Sequence, residues 1–223
     1  LSPGDELLEI GTGWGSLAIA AAGNFGAHVT TTTISSNQFQ TASGRVEAAS
    51  LGHRVKLLQK DYRDLEGTFD KLISCEMIEA VGARYLPEFL RQCAARLKPG
   101  GVLGLQAITI ADQHYESALR SVDYIKRHVF PGSFIPSVTA ITKAESEHTE
   151  LRLVKMEDFG QHYAETLRRW RQTWLSKREE VAALGGEKSL MRAWDFYFAY
   201  CAAGFRERHI GVCHLRFERA GGK

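Results

Sequence analysis

The sequence predicts an α/β protein: a mostly parallel sheet of seven strands, helices on both faces, and a helical insertion before the last strand. Three observations predict it. Short apolar or β-branched runs alternate with stretches of helical spacing through the first half. A glycine-rich turn directly follows the first apolar run, in LLEIGTGWGSLAIAAAG over residues 7–23. The last two strand-like runs are separated by some 45 residues of helical pattern, about 160–205. A chain of 223 residues suffices for one domain with a full core, so residues 1–223 are read as a single domain carrying that insertion.

Glu6 to Ile10 is a short apolar strand, and a helix runs from about Gly15 to Asn24. His28 to Ile34 is β-branched and reads as strand, Asn37 to Leu51 as helix, Val55 to Gln59 as strand. Phe69 to Glu76 is a further strand. Tyr85, Phe89, Leu90, Cys93 and Leu97 lie at helical spacing and predict a helix over Arg84 to Leu97. Lys98-Pro99-Gly100-Gly101 is a turn before a strand from Val102 to Ile110. Val138 to Thr149 is helix and Leu151 to Met156 strand. The insertion is helical from about Gly160 to Phe205 with a break at Gly185-Gly186, and Ile210 to Phe217 closes the chain as strand. Leu167, Trp170 and Trp174 form a core-facing stripe in the insertion, with Arg168, Arg169 and Arg171 solvated. Interfacial binding through those aromatic and basic residues is the competing expectation.

Composition is ordinary, 44% hydrophobic and 24% charged with a formal net charge of +2, which gives no argument for nucleic acid as a partner. Cys75, Cys93, Cys201 and Cys213 form no CxxC pair, so neither a disulfide framework nor a metal site is expected, and reduced thiols in the cytoplasm are. No apolar run approaches the roughly 20 residues of a membrane-spanning helix. The chain begins at Leu1 rather than Met, which suggests a preceding segment.

The turn Gly11-x-Gly13-x-Gly15 is not the dinucleotide fingerprint, and no Asp or Glu occurs from Ile10 to Val46 to bind ribose hydroxyls. No Lys-Ser/Thr follows it, which excludes a P-loop. Glu9-Ile10-Gly11-Thr12-Gly13-Trp14-Gly15 resembles the first motif of class I S-adenosylmethionine-dependent methyltransferases, a Rossmann-like fold, and Lys98-Pro99-Gly100-Gly101-Val102-Leu103 resembles the turn before their fifth strand.

One branch is closer still, the cyclopropane-fatty-acid and mycolic acid cyclopropane synthases. Thr33-Ile34-Ser35-x-x-Gln38 resembles their ribose-side segment, and Lys60-Asp61-Tyr62-Arg63-Asp64-Leu65 their loop after the third strand. Met77-Ile78-Glu79-Ala80-Val81-Gly82-x-x-x-Tyr85, Phe130-Pro131-Gly132-x-x-Ile135-Pro136-Ser137, His162-Tyr163-Ala164-x-Thr166-Leu167-x-x-Trp170 and Ala202-x-Gly204-Phe205-Arg206 extend the likeness in order along the chain.

The resemblance implies a cofactor, S-adenosylmethionine, held by Glu9, Gly11, Thr12, Gly13, Gly15, Thr33, Ser35, Gln38, Asp61, Tyr62 and Cys75. Asp61 and Tyr62 would meet the adenine; an N-cap or surface turn at Asp61 is the plainer alternative. The resemblance further implies methyl transfer to a cis alkene of a phospholipid acyl chain at a membrane surface. A bicarbonate ion, held by Glu79, Gln106, the Ile108 amide and Tyr163, would then take a proton as the cyclopropane closes. Members with His at position 106 have a proton relay that Gln106 lacks.

The family also draws a Cys and aromatic residues from a loop before its first strand, which no cysteine here supplies. Residues 1–223 by themselves are therefore expected to bind cofactor weakly and turn over little. Simple C-methylation of an unsaturated lipid, and a non-catalytic cofactor-binding domain, remain open beside the lead reading.

Overall fold

The computed structural model describes residues 1–221. In chain order they form β1 (Glu6–Ile10), α1 (Ser16–Phe25), β2 (His28–Thr32), α2 (Ser36–Ala48), β3 (Val55–Leu58), β4 (Phe69–Cys75), α3 (Leu86–Ala95), β5 (Leu97–Ile110), α4 (Asp112–Arg120), α5 (Tyr124–His128), α6 (Val138–His148), β6 (Leu151–Asp158), α7 (Gly160–Ser176), α8 (Arg178–Ala183), α9 (Lys188–Arg206) and β7 (Ile210–Arg219). The seven strands make one sheet in the order β3-β2-β1-β4-β5-β7-β6. Neighbours from β3 to β5 pair in parallel, whereas β7 runs antiparallel between β5 and β6. Strand order reverses between β1 and β4, and open α/β sheets bind ligands at the carboxyl ends of strands beside such a switch.

Three features depart from the sequence pattern. The Lys98–Gly101 turn lies inside β5 as a bulge: Phe69 pairs with Leu97, but Lys71 pairs with Val102. The insertion breaks at Lys177 as well as near Gly185, so it holds three helices. The polar stretch after β5, for which no element is apparent in the sequence, folds into α4 and α5; α5 is capped by Asp123, whose carboxylate accepts from the Lys126 amide at 2.9 Å.

Alternation along the strands divides the core. Leu8 and Ile10 of β1, Leu72 of β4, Leu103, Leu105 and Ala107 of β5 and Leu215 and Phe217 of β7 face one side, packed with Phe89 and Leu90 of α3 and Ile141 of α6. On the other face, Leu7 and Val29 pack with Ala18, Ala21 and Ala22 of α1 and Val46 of α2. Farther along that face, Val212 and Ile108 pack with Leu167 of α7 and Phe198 and Phe205 of α9. Glu9, Cys75 and Gln106 share this second face, between its two helical groups, at the carboxyl ends of β1, β4 and β5.

Candidate active site

The turn after β1 is built for close approach. Gly11, Gly13 and Gly15 all have positive φ, at 99°, 52° and 81°. A Cβ at Gly15 would lie 3.0 Å from the Ala42 methyl, and one at Gly11 3.3 Å from the Met77 side chain. Glycine is thus required twice over, for backbone region and for space. One at Gly13 would meet nothing within 4 Å, so the middle of the turn faces open space. The Gly11 and Thr12 amides both donate to the Thr32 carbonyl, at 3.1 and 3.0 Å, tying the turn to β2. Arg45 of α2 donates to the Trp14 carbonyl at 2.6 Å and holds it from outside. Thr12 and Thr31 share a buried hydroxyl–hydroxyl hydrogen bond of 2.7 Å.

Beneath the turn, Glu9 is 3% exposed and one of its carboxylate oxygens is buried without a partner. Burial pushes its pKa to about 7, partly offset by a hydrogen bond with Thr31. An orphaned buried carboxylate oxygen below an open glycine turn fits a ligand that brings its own donors, which S-adenosylmethionine does.

Thr33, Ser35 and Gln38 come together at the start of α2. The Ser35 hydroxyl accepts from the Gln38 amide at 3.3 Å, the Thr33 hydroxyl donates to the Gln38 side-chain oxygen at 2.7 Å, and the Ser35 amide donates to Thr33 at 3.1 Å. The segment is a satisfied helix cap, and its groups face the same end of the sheet as the turn. Asp61 takes the N-cap position: it accepts from the Arg63 amide at 2.9 Å and pairs with the Arg63 guanidinium at 2.8 Å, which holds its carboxyl below the usual range. Tyr62 is buried, its ring edge-to-face with Phe89 at 5.5 Å. Core packing therefore fixes this ring, whichever molecule lies above it.

The four residues expected to hold an anion converge, but in two pairs and with company that sequence did not announce. Glu79 sits in a short 3-10 turn after β4 and is buried; it accepts from the Ile108 amide at 2.6 Å, while its second oxygen has no partner. Burial raises its pKa to about 7, against the opposing pull of the backbone amides. Tyr163 of α7 donates to Glu76, and the Gln106 side-chain amide donates to the same Glu76 oxygen at 2.6 Å and contacts the Tyr163 hydroxyl at 3.0 Å. The Gln106 oxygen meets His214 of β7 at 2.8 Å. Burial and then Glu76 push the Tyr163 phenol up, so it stays protonated and donates. Loss of hydration and the carboxyls of Glu76, Glu79 and Glu9 raise the Cys75 thiol to about 12. That cysteine, at the carboxyl end of β4, is not a thiolate.

Sequence reasoning thus missed Glu76 and His214. Glu76 follows β4 with φ at +51°, in the left-handed region, and its amide donates to the Gln106 carbonyl at 3.0 Å. The available signal was an acid two residues before the Ile78-Glu79 motif, at the end of a strand. His214 pairs with Gln106 in the β5–β7 register, which only the sheet topology reveals.

Bicarbonate does not fit this arrangement. Tyr163 and Gln106 are taken by Glu76, and Ile108 by Glu79. An added anion about 4 Å from a carboxylate meets roughly 4 kcal/mol of repulsion at the effective dielectric of a protein surface.

The insertion walls the site with aromatics: Tyr163 lies 5.1 Å from Phe205 and 6.2 Å from Phe159, ring to ring. The expected core stripe needs one correction. Leu167 is buried and Trp174 packs on Trp194 and Phe198, but Trp170 is 53% exposed because the helix turns it away from that seam. Arg168 and Arg169 both pair with Glu165 on the same surface. Among the described residues no helix is long and apolar enough to cross a membrane.

Known proteins share this architecture. A family model described as mycolic acid cyclopropane synthetase matches residues 1–215. Tuberculostearic acid methyltransferase UfaA1 of Mycobacterium tuberculosis is 41% identical over 98% of this chain and 51% of its own length. The cyclopropane-fatty-acyl-phospholipid synthase of Escherichia coli K12 is 33% identical over 98% of this chain and 54% of its own. The chain spans about half the length of these relatives. A crystal structure of the mycolic acid cyclopropane synthase CmaA1, complexed with SAH and CTAB, superposes with a TM-score of 0.90 at 23% identity, covering 98% of this chain and 79% of that one. At that identity the likeness is one of fold.

Proposed function

The chain belongs to the mycolic acid cyclopropane synthetase family, and from that premise we propose that the protein transfers a methyl group to the cis double bond of an unsaturated phospholipid acyl chain. S-adenosylmethionine, when bound, supplies an electrophilic methyl on a sulfonium. Gly11 to Gly15 and Glu9 would hold its amino-acid portion, with Thr33, Ser35 and Gln38 beside the ribose and Asp61 and Tyr62 beside the adenine. One observation carries the reading: a carboxylate, a phenol and an amide, ringed by aromatic side chains, sit beside an open glycine turn at the switch point of the sheet.

An alkene is a weak nucleophile, so holding it in line with the methyl donor accounts for much of the acceleration. Addition of the methyl leaves a cation on the acyl chain. The faces of Tyr163 and Phe159 stabilise positive charge through their quadrupoles, and exclude water that would quench it. Loss of a proton from the transferred methyl, with closure onto the cationic carbon, gives a cyclopropane.

The 41% relative, named as a methyltransferase, favours a second outcome. A 1,2-hydride shift first moves the cation to the methylated carbon, and loss of a proton from the transferred methyl then gives a methylene branch, C=CH₂, on the chain. Both products add one CH₂, so mass does not separate them. The lipid would be met at a membrane surface from the cytoplasmic side, with the exposed Trp170 among the groups that touch it.

The test supplies the full-length protein with methyl-labelled S-adenosylmethionine and vesicles of cis-monounsaturated phospholipid, and reads the lipid by proton NMR. Label in the acyl chain with cyclopropane or exomethylene signals is expected. Cofactor binding by calorimetry without any label in lipid refutes the reading and leaves a non-catalytic binding domain.

A further inference from the structure

The acid that sequence reasoning passed over lies among the polar groups at the carboxyl ends of β4 and β5. Glu76 is the residue on which the Tyr163 hydroxyl and the Gln106 amide both converge. Its backbone has φ of +51°, which a glycine would adopt freely and an L-residue adopts at a cost of about 1 kcal/mol. Backbone strain of this kind is a pointer to function when the side chain it presents has a job. The amide of Glu76 is anchored on the Gln106 carbonyl, so Gln106 fixes both ends of the residue. Glu79, the other carboxylate here, is worse placed to accept a proton from substrate. It is buried, with one oxygen accepting from Ile108 and the other sealed from solvent, whereas Glu76 is half-buried and takes both its side-chain hydrogen bonds on one oxygen.

We propose that Glu76 is a catalytic residue: its carboxylate, oriented by Tyr163 and Gln106, takes the proton released after methyl transfer, so that the protein carries its own base in place of the external anion that the family resemblance implies. This rests on the acyl-chain methyl-transfer reading above. In the step, a C–H bond of the transferred methyl breaks and its electron pair forms the new carbon–carbon bond, single in a cyclopropane or the second bond of a methylene. The proton passes to a Glu76 oxygen, leaving a neutral acid that returns it to water after product leaves. A C–H bond next to a cationic carbon is far more acidic than any carboxylic acid. A carboxylate in reach of that C–H bond is therefore a sufficient base. What the hydrogen bonds from Tyr163 and Gln106 secure is aim.

The experiment uses the full-length protein in buffer freed of carbon dioxide, with and without added bicarbonate. Wild type is expected to turn over equally in both, within about twofold. Glu76→Gln keeps the shape and the contacts but not the base, and is expected to lose about 100-fold or more. Glu76→Gly relieves the backbone and frees Tyr163 and Gln106 to hold an anion. It is expected to be inactive without bicarbonate and to recover at least tenfold with it.

A readout independent of turnover is ¹³C-bicarbonate binding by NMR, with none specific in wild type and saturable binding in Glu76→Gly. Bicarbonate dependence or saturable bicarbonate binding in wild type would overturn the proposal, as would full turnover by Glu76→Gln. Wild type that binds cofactor but modifies no lipid would instead sink the underlying activity, and the NMR result would still decide whether Glu76 fills the anion's place.

Discussion

Replacing Glu9 by Gln should remove a loss of stability that the wild type suffers as pH rises from 4.5 to above 7. The carboxyl is 3% exposed, and burial raises its pKa from 4.5 to about 7. Each pKa unit is worth about 1.4 kcal/mol, so ionising Glu9 in the folded protein costs about 3 kcal/mol. Below pH 4.5 the group is protonated in folded and unfolded chains alike and this cost is absent. Between pH 4.5 and 7 the unfolded chain ionises first, and stability falls. Above pH 7 both are ionised and the loss is complete. The Glu9→Gln variant, with no proton to lose at this position, has no such loss.

Urea unfolding of wild type and Glu9→Gln across pH 4.5 to 8, with m-values compared to confirm equal exposure on unfolding, should show the variant gaining about 3 kcal/mol on wild type over that range. The comparison is differential, so whatever the new amide costs in absolute stability cancels. A gap between the two proteins that stays constant with pH would show that Glu9 is not a buried, raised carboxyl, and would undo the argument for its orphaned oxygen. The same substitution should weaken S-adenosylmethionine binding by calorimetry, separating stability from function.

Four other outcomes are expected. Gly15→Ala should cost about 3 kcal/mol in urea unfolding, from the left-handed φ together with the 3.0 Å approach to Ala42; a neutral result would mean the turn relaxes freely. Ser35→Ala should cost about 1 kcal/mol through loss of the α2 cap, readable as a shift in thermal unfolding. Wild-type turnover should rise with pH through about 7 as Glu79 ionises and accepts more strongly from Ile108, and Glu79→Gln should remove that inflection from the pH–rate profile. Trp174→Ala should cost about 3 kcal/mol, whereas Trp170→Ala should stay within about 0.5 kcal/mol and weaken binding to phospholipid vesicles in a flotation assay.

Much of the fold is legible from local pattern. Strand, glycine turn and helix over residues 6–25 follow from an apolar run, three glycines and an alanine-rich segment, all within one stretch of chain. The alternation of elements sets the parallel sheet in the same way, because each crossover helix and its strands carry their own periodicity. The Gln106 position is legible too, since alternation in VLGLQAITI puts Leu103, Leu105 and Ala107 on one face and Gln106 on the other.

What pattern does not contain is which groups meet across the sheet. Tyr163 reaches Glu76 over a separation of 87 residues, and His214 reaches Gln106 over 108. The register of β7 between β5 and β6 and the docking of α7 decide those meetings, and neither leaves a local mark. Pattern likewise puts Trp170 in the seam with Leu167, while the helix's actual rotation turns it outward. The sequence alone therefore determined the sheet and the glycine turn. The tertiary structure alone decided that the donors expected to hold an ion hold Glu76 instead, because a carboxylate on a left-handed residue at the end of β4 already lies within hydrogen-bonding reach of them.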